Sequence, residues 1–271
     1  MRFNPVSLCL IMLPLLPAQD SQAWGAAGHA ATGIMAMKLI DGTARRTLND
    51  ILGSTDNERI SELCNWPDTM QESPLLEGLK PQHYVNVPRA ADTYDADRDC
   101  REGLCVTEAI KKYAGQLGND QLPQIKREEA FAWLCHLVGD LHQPLHCGFA
   151  DDRGGNTIDV RFNRTEMNLH QFWDYKLIAD RAGTTDALVS QFKSKLSPLN
   201  DKPWNPDEVN AWTMESHHLA LAKAYPPAPE IDAAFADQSW AVISERMPLG
   251  AERLARILNA TLGQGGVDVS R

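Results

Sequence analysis

The sequence predicts an all-α fold, a single multi-helix domain carrying one small β-hairpin. Three observations lead there. Helix-forming residues dominate long stretches, these stretches stop at glycine or proline, and one short segment alone alternates in the manner of a strand. Hydrophobic residues make up 43% and charged residues 23% of the 271, values that place the chain with globular proteins rather than disordered ones. No repeat, low-complexity tract or long linker divides it.

The first 23 residues stand apart. Arg2 gives a positive start, residues 8–16 form an apolar run broken only by Cys9 and Pro14, and Ser21 and Ala23 place small side chains where a signal peptidase reads. Residues 1–23 are therefore expected to be a secretory signal cleaved after Ala23, leaving residues 24–271 as one secreted or periplasmic domain. In order, helices are expected over 26–40, over 43–53 with Thr43 as cap and Gly53 as terminator, and over 106–117. A further helix over 127–141 closes before Pro144, and 169–179, 186–195, 206–224 and 231–262 complete the set. Residues 157–162 set Ile158 and Val160 against Asp159 and Arg161, which predicts the strand of a hairpin. Trp66-Pro67-Asp68 reads as a turn started by proline.

Cleavage removes Arg2 and Asp20, so the mature chain keeps a formal charge of −10. An acidic protein lacks the basic patch with which polyanions are usually bound, and attraction for phosphate would have to come from bound metal. Five cysteines remain after cleavage. Cys100 and Cys105 are close enough to close a local loop and are expected to form a disulfide. Cys64, Cys135 and Cys147 leave at least one free thiol, and the sequence does not say which.

Four of the eight histidines fall between His136 and His170. His136 and Asp140 are four apart and share a helix face, and His170 with Asp174 repeats the spacing. His146 follows a proline-ended helix, where a loop can turn its imidazole back toward Asp140. Zinc takes imidazole nitrogen and carboxylate oxygen, and such pairs can build a site between helices. Either pair alone is weak, because exposed helices carry this spacing by chance; two pairs with His146 shift the balance to metal binding. Asp68, His83 and the terminal segment from Trp24 to His29 are unremarkable singly, although a free α-amine with its carbonyl can chelate.

Taken together, WGAAGH at 24–29, WPD at 66–68, HYVNV at 83–87, DRDCREGLC at 97–105, HLVGDLHQPLH at 136–146, GGNTIDV at 154–160, NLHQFWD at 168–174 and GAERLARILN at 250–259 follow one order. That order resembles the S1/P1 nucleases, extracellular zinc enzymes related to the zinc-dependent bacterial phospholipases C. The resemblance covers essentially the whole of residues 24–271 and implies a phospholipase C/nuclease-like helical fold. It implies three Zn²⁺ per chain: a first held by Asp68, His83, His136 and Asp140, a second by the Trp24 amine and carbonyl, His29 and Asp140, and a third by His146, His170 and Asp174. Asp140 then bridges the pair, and Asp68 and Asp140 stand as the catalytic carboxylates. Ten ligand groups for three metals leave positions open, as catalytic zinc requires.

The same resemblance implies an endonuclease that cuts single-stranded DNA and RNA to 5′-phosphate products through a hydroxide held at the trinuclear site. Further implied are action on 3′-mononucleotides, phospholipid as a side substrate, and no protein partner. Tyr84 would stack on a base and Asn156 would contact one; the plainer alternatives are core packing for Tyr84 and a turn role for Asn156. The chain departs from fungal-type members at Asn86, where they carry Asp, and at Gln71, where they carry a basic residue. Cys64 matches a plant-type cysteine whose partner position is here Gly33, so that particular bridge cannot form, whereas Cys100–Cys105 matches the family. His142, His217 and His218 match no ligand and are expected to be structural or exposed. Asn163 and Asn259 begin glycosylation sequons, which matter only in a eukaryotic secretory pathway. Two rivals are a zinc phospholipase C, disfavoured because its last ligand is typically Glu where this chain has Asp174, and a secreted zinc-binding protein without activity.

Overall fold

The computed structural model describes residues 24–70, 77–200 and 202–263. The expected signal over 1–23 and the departure at Gln71 lie outside the described residues. Eleven α-helical segments and one hairpin follow in order: α1 (Gly25–Met37), α2 (Gly42–Leu52), α3 (Asn57–Thr69), the single turn α4 (Ala96–Asp99), α5 (Val106–Gly118), α6 (Gln124–His142), β1 (Asp159–Phe162), β2 (Thr165–Asn168), α7 (Leu169–Gln171), α8 (Leu177–Arg181), α9 (Thr185–Phe192), α10 (Glu208–Leu219) and α11 (Ala233–Leu262).

The centre of the molecule is α6. From Ala130 to its end every residue is buried, with Phe131, Leu134, Leu137, Val138 and Leu141 along one face and Ala132, Cys135, His136, Gly139 and Asp140 along the other. A helix buried on every side lies inside the protein, and each large apolar side chain so buried contributes about 1.5–3 kcal/mol. Around it pack α5, α3 and α11, while α1 lies against α11, α3 and α9. Three helices that will matter below, α1, α3 and α6, are thus mutual neighbours.

Several expectations change in detail. The cap of α2 is Asp41, not Thr43: its carboxylate accepts from the backbone N–H of Thr43 (2.8 Å) and Ala44 (2.7 Å). Trp66-Pro67-Asp68 is not a turn but the last part of α3. Pro67 has no N–H for the Leu63 carbonyl one turn back, and the helix ends two residues after it, at Thr69. The expected helix over 169–179 is interrupted by a π-helical turn, Phe172–Lys176, between α7 and α8. The expected hairpin is present, its register pairing Val160 with Met167 and Phe162 with Thr165. Asn163 and Arg164 make its turn with φ of 49° and 66°, the conformation that two-residue hairpin loops favour.

Cys100 and Cys105 are bridged, as expected. A second disulfide, which the sequence left open, joins Cys64 of α3 to Cys135 of α6, and Cys147 is free and buried. Asn163 is exposed on the hairpin turn, whereas the Asn259 side chain accepts from the Asp41 N–H at 2.9 Å.

Candidate metal centre

The candidate ligands are delivered by several separate pieces of this framework. Trp24 and His29 come from the start of α1, Asp68 from the end of α3, and His83 from the 3₁₀ turn Glu77–His83. His136 and Asp140 lie on α6, His146 in the 3₁₀ turn Pro144–Cys147 that follows it, and His170 on α7. Asp174 sits in the π-helical turn. All nine are buried.

They form two groups. In the first, His83 Nδ1 lies 3.0 Å from Asp140 Oδ2 and 3.1 Å from His136 Nε2, and His136 Nε2 lies 3.4 Å from Asp140 Oδ2 and 3.3 Å from Asp68 Oδ1. His83 Nδ1 to Asp68 Oδ1 is 4.0 Å. Four ligands at zinc bond lengths on a tetrahedron stand about 3.3 Å apart, so His83, His136 and Asp140 are spaced to share one zinc ion, while Asp68 meets His136 and groups with His29 and His136. The other oxygen of Asp140, Oδ1, turns to His29 Nε2 at 3.4 Å. The His29 ring stacks on His136 with centroids 3.8 Å apart, and the Trp24 indole N–H donates to the Gly139 carbonyl at 2.8 Å. Neither ring nitrogen of His29 makes a hydrogen bond, and neither does Asp140 Oδ1, although all three atoms are buried. Buried polar atoms are normally satisfied, so such a cluster calls for a partner of another kind.

The second group is His146, His170 and Asp174. The two Nε2 atoms are 3.1 Å apart, His170 Nε2 to Asp174 Oδ2 is 3.1 Å, and His146 Nε2 to Asp174 Oδ1 is 3.7 Å. His146 therefore turns toward Asp174 rather than toward Asp140 as the loop spacing allowed.

Outer partners fix the rings. The Nδ1–H groups of His136, His146 and His170 donate to the carbonyls of Cys64 (2.9 Å), His83 (2.6 Å) and Gly154 (2.6 Å). Each Nε2 is thereby aimed at the carboxylates, the arrangement that metal-bound histidines adopt. Gln143 donates to Asp174 Oδ1 at 2.6 Å while its own oxygen accepts from the Leu145 N–H at 2.5 Å. Asp152 holds the glycine loop: it accepts from the Gly155 N–H, from Arg89 and from the Tyr225 hydroxyl, each at 2.8 Å. That loop runs through Arg153, Gly154 and Gly155 with φ of 55°, 62° and 81°, and it is what presents the Gly154 carbonyl to His170. Sequence reasoning missed Gln143 and Asp152; the signal available was only their position inside HQPLH and beside GGN.

Electrostatics accord with cation binding. Burial raises the cost of charging Asp140 and Asp174, yet the facing imidazoles outweigh it and hold both carboxyls below the usual carboxylate range. Burial likewise opposes charge on His136 and His146, but the neighbouring aspartates push each up to about 9. His29, desolvated and beside His136, is lowered to about 3. The pocket thus concentrates ionised carboxylates and holds protons on the nitrogens that a metal would displace.

Of the remaining site candidates, Tyr84 is 42% exposed beside His83, so it is not a core residue. Asn156 is half-buried, its Nδ2 donating to the Arg153 carbonyl at 2.9 Å, which includes the turn role. His142 and His217 are buried and hydrogen-bonded within the protein and His218 is exposed, and none of the three belongs to either group.

Comparison with known proteins accords with this geometry. The family model described as S1/P1 Nuclease matches residues 24–263. Endonuclease 3 of Arabidopsis thaliana is 30% identical over 87% of this chain and 88% of its own. Nuclease S1 of Aspergillus oryzae is 25% identical over 97% and 99%. Among solved structures, the alpha toxin from Clostridium absonum superposes with a TM-score of 0.51 at 15% identity, over 93% of this chain and 67% of that one, a likeness of fold. With a family model spanning all the described helices, this chain belongs to the S1/P1 nuclease family and is a phosphodiester-hydrolysing nuclease.

Proposed function

We propose that the chain is a secreted or periplasmic zinc-dependent endonuclease, active after removal of residues 1–23, that hydrolyses single-stranded DNA and RNA to 5′-phosphate products and acts on 3′-mononucleotides. Residues 24–271 form its catalytic domain. The observation that carries the proposal is the division of Asp140: Oδ2 faces His83 and His136, and Oδ1 faces His29. A carboxylate so placed can serve two ions at once.

Three zinc ions are proposed, with Asp68, His83, His136 and Asp140 holding one. Trp24, His29 and Asp140 hold a second, and His146, His170 and Asp174 a third. When bound, zinc lowers the pKa of water toward ~7 and neutralises charge on a phosphodiester and its leaving oxygen. Asp68 and Asp140 orient the paired site, while Asp174, fixed by Gln143, orients the third. Three divalent ions add six positive charges to a chain of net charge −10, which makes the pocket a cationic focus on an otherwise repulsive surface. Tyr84, exposed next to His83, supplies a stacking face that only an unpaired base can use. Asn156, on the loop that Asp152 holds, is proposed to contact that base.

Product analysis tests this. One preparation is given denatured DNA, duplex DNA, RNA, 3′-mononucleotides and phosphatidylcholine, and end groups are determined. Single strands should be cut faster than duplex, leaving 5′-phosphates, and Tyr84→Ala should raise KM more than it lowers kcat. Equal rates on duplex and single strands, or phosphatidylcholine as the preferred substrate, would contradict the proposal.

A further inference from the structure

Directly beside the paired group lies a second layer made by the same three helices. On α1, Gly33 follows His29 by one turn; on α3, Cys64 precedes Asp68 by one turn; on α6, Cys135 immediately precedes His136. Cys64 and Cys135 form the disulfide, wholly buried. A Cβ on Gly33 would overlap Cys64 Sγ and lie 2.9 Å from Cys135 Sγ, so glycine is what lets α1 lie against the bridge. The layer also reaches the ligands through the main chain, since the Cys64 carbonyl receives the His136 Nδ1–H at 2.9 Å. The opposite ring nitrogen is then set 3.3 Å from Asp68.

We propose that the Cys64–Cys135 disulfide is a positioning element of the metal centre, whose formation sets the α3–α6 spacing at which Asp68 and His136 share an ion. The inference rests on the metal-centre proposal above. Bonded sulfurs sit about 2 Å apart, whereas two thiols need roughly 3.5–4 Å. Reduction therefore drives the sulfurs apart by more than an ångström, and Gly33 leaves α1 packed too closely to absorb it. Metal sites tolerate ligand displacements of about 0.2 Å. The reduced chain should bind the paired ions about 10–100-fold more weakly, the usual effect of losing an outer partner. The group of His146, His170 and Asp174 is held by His83, Gly154 and Gln143, none of them on α1 or α3, and should be spared. In forming the bridge the two thiols pass two electrons and two protons to a disulfide donor, which leaves as two thiols. Oxidising compartments supply such donors and the cytosol does not, so the paired centre assembles only after export.

Linkage gives the test, because a bridge that strengthens metal binding must itself be strengthened by metal. The oxidised mature chain is equilibrated in glutathione redox buffers with and without a fixed free zinc concentration, and each cysteine pair is quantified by thiol trapping and mass spectrometry. Zinc should shift the midpoint of Cys64–Cys135 by 10–100-fold in equilibrium constant, about 30–60 mV, and leave Cys100–Cys105 unmoved. Zinc bound to the oxidised chain without protecting Cys64–Cys135 overturns this inference alone. No zinc bound to the oxidised chain overturns the metal-centre proposal and this inference with it. A Cys64→Ala/Cys135→Ala variant that folds should keep its affinity for the third ion and bind the pair about 10–100-fold more weakly; unchanged affinity for all three contradicts the inference. If that variant does not fold, the titration of the unaltered protein decides.

Discussion

The proposed chemistry converges on one side chain, Asp140. It is fully buried, it lies one turn after His136 on α6, and its two oxygens face different partners. Asp140→Asn keeps the shape but offers a neutral, weak ligand, so turnover should fall about 100-fold or more and bound zinc should drop below three per chain. Near-normal turnover with three ions still bound would refute the bridging role. The nine ligand candidates were legible in the sequence because the motifs keep their order and because i,i+4 spacing survives in any helix. Gln143 was not legible as a partner of Asp174, since the contact crosses 31 residues and depends on a π-helical turn that no local pattern announces. The partner of Cys64 was hidden for the same reason: the bridge to Cys135 spans 71 residues.

At the scale of elements, the long apolar helices declared themselves, whereas α3 did not, because Pro67 reads as a breaker until one sees that it occupies the last turn. The start of α1 carries its own test. While joined to Ala23 the Trp24 nitrogen is a peptide amide with a delocalised lone pair and a poor zinc ligand; the proposed cleavage after Ala23 would make it an amine of pKa ~7.7–8.0. Residues 24–271 bearing one extra N-terminal Gly should hold about two zincs and lose most activity. Full activity and three zincs in the extended form would remove Trp24 from the ligand set. On α10, His217 is buried, its Nδ1–H donates to the Cys147 carbonyl at 3.0 Å, and burial with the neighbouring His218 lowers its pKa below the ordinary 6.5. The unfolded chain then takes up the proton first. Stability from this residue is complete above pH ~6.5 and is lost as pH falls from there through the folded value. Thermal unfolding of the metal-free protein between pH ~7.5 and ~5 should show that loss, and His217→Gln should make it shallower. An unchanged slope in the variant would assign the acid sensitivity elsewhere.

The whole molecule presents an acidic surface around a pocket of ionised aspartates, and it belongs to a family that cleaves polyanions. Bound metal would resolve that opposition: α1, α3, α6, α7 and the short turns that follow α3, α6 and α7 bring candidate ligands from residues 29 to 174 into adjoining groups. The all-α architecture and single hairpin were evident from periodicity and punctuation alone, but the convergence of distant segments was not, because it is set by packing around α6. The most direct test is zinc-edge anomalous scattering from crystals of residues 24–271 with native Trp24 first. Three peaks should appear, two flanking Asp140 with one carboxylate oxygen toward each and the third among His146, His170 and Asp174. A single peak at Asp140, or none, would contradict the shared carboxylate on which the proposed chemistry depends.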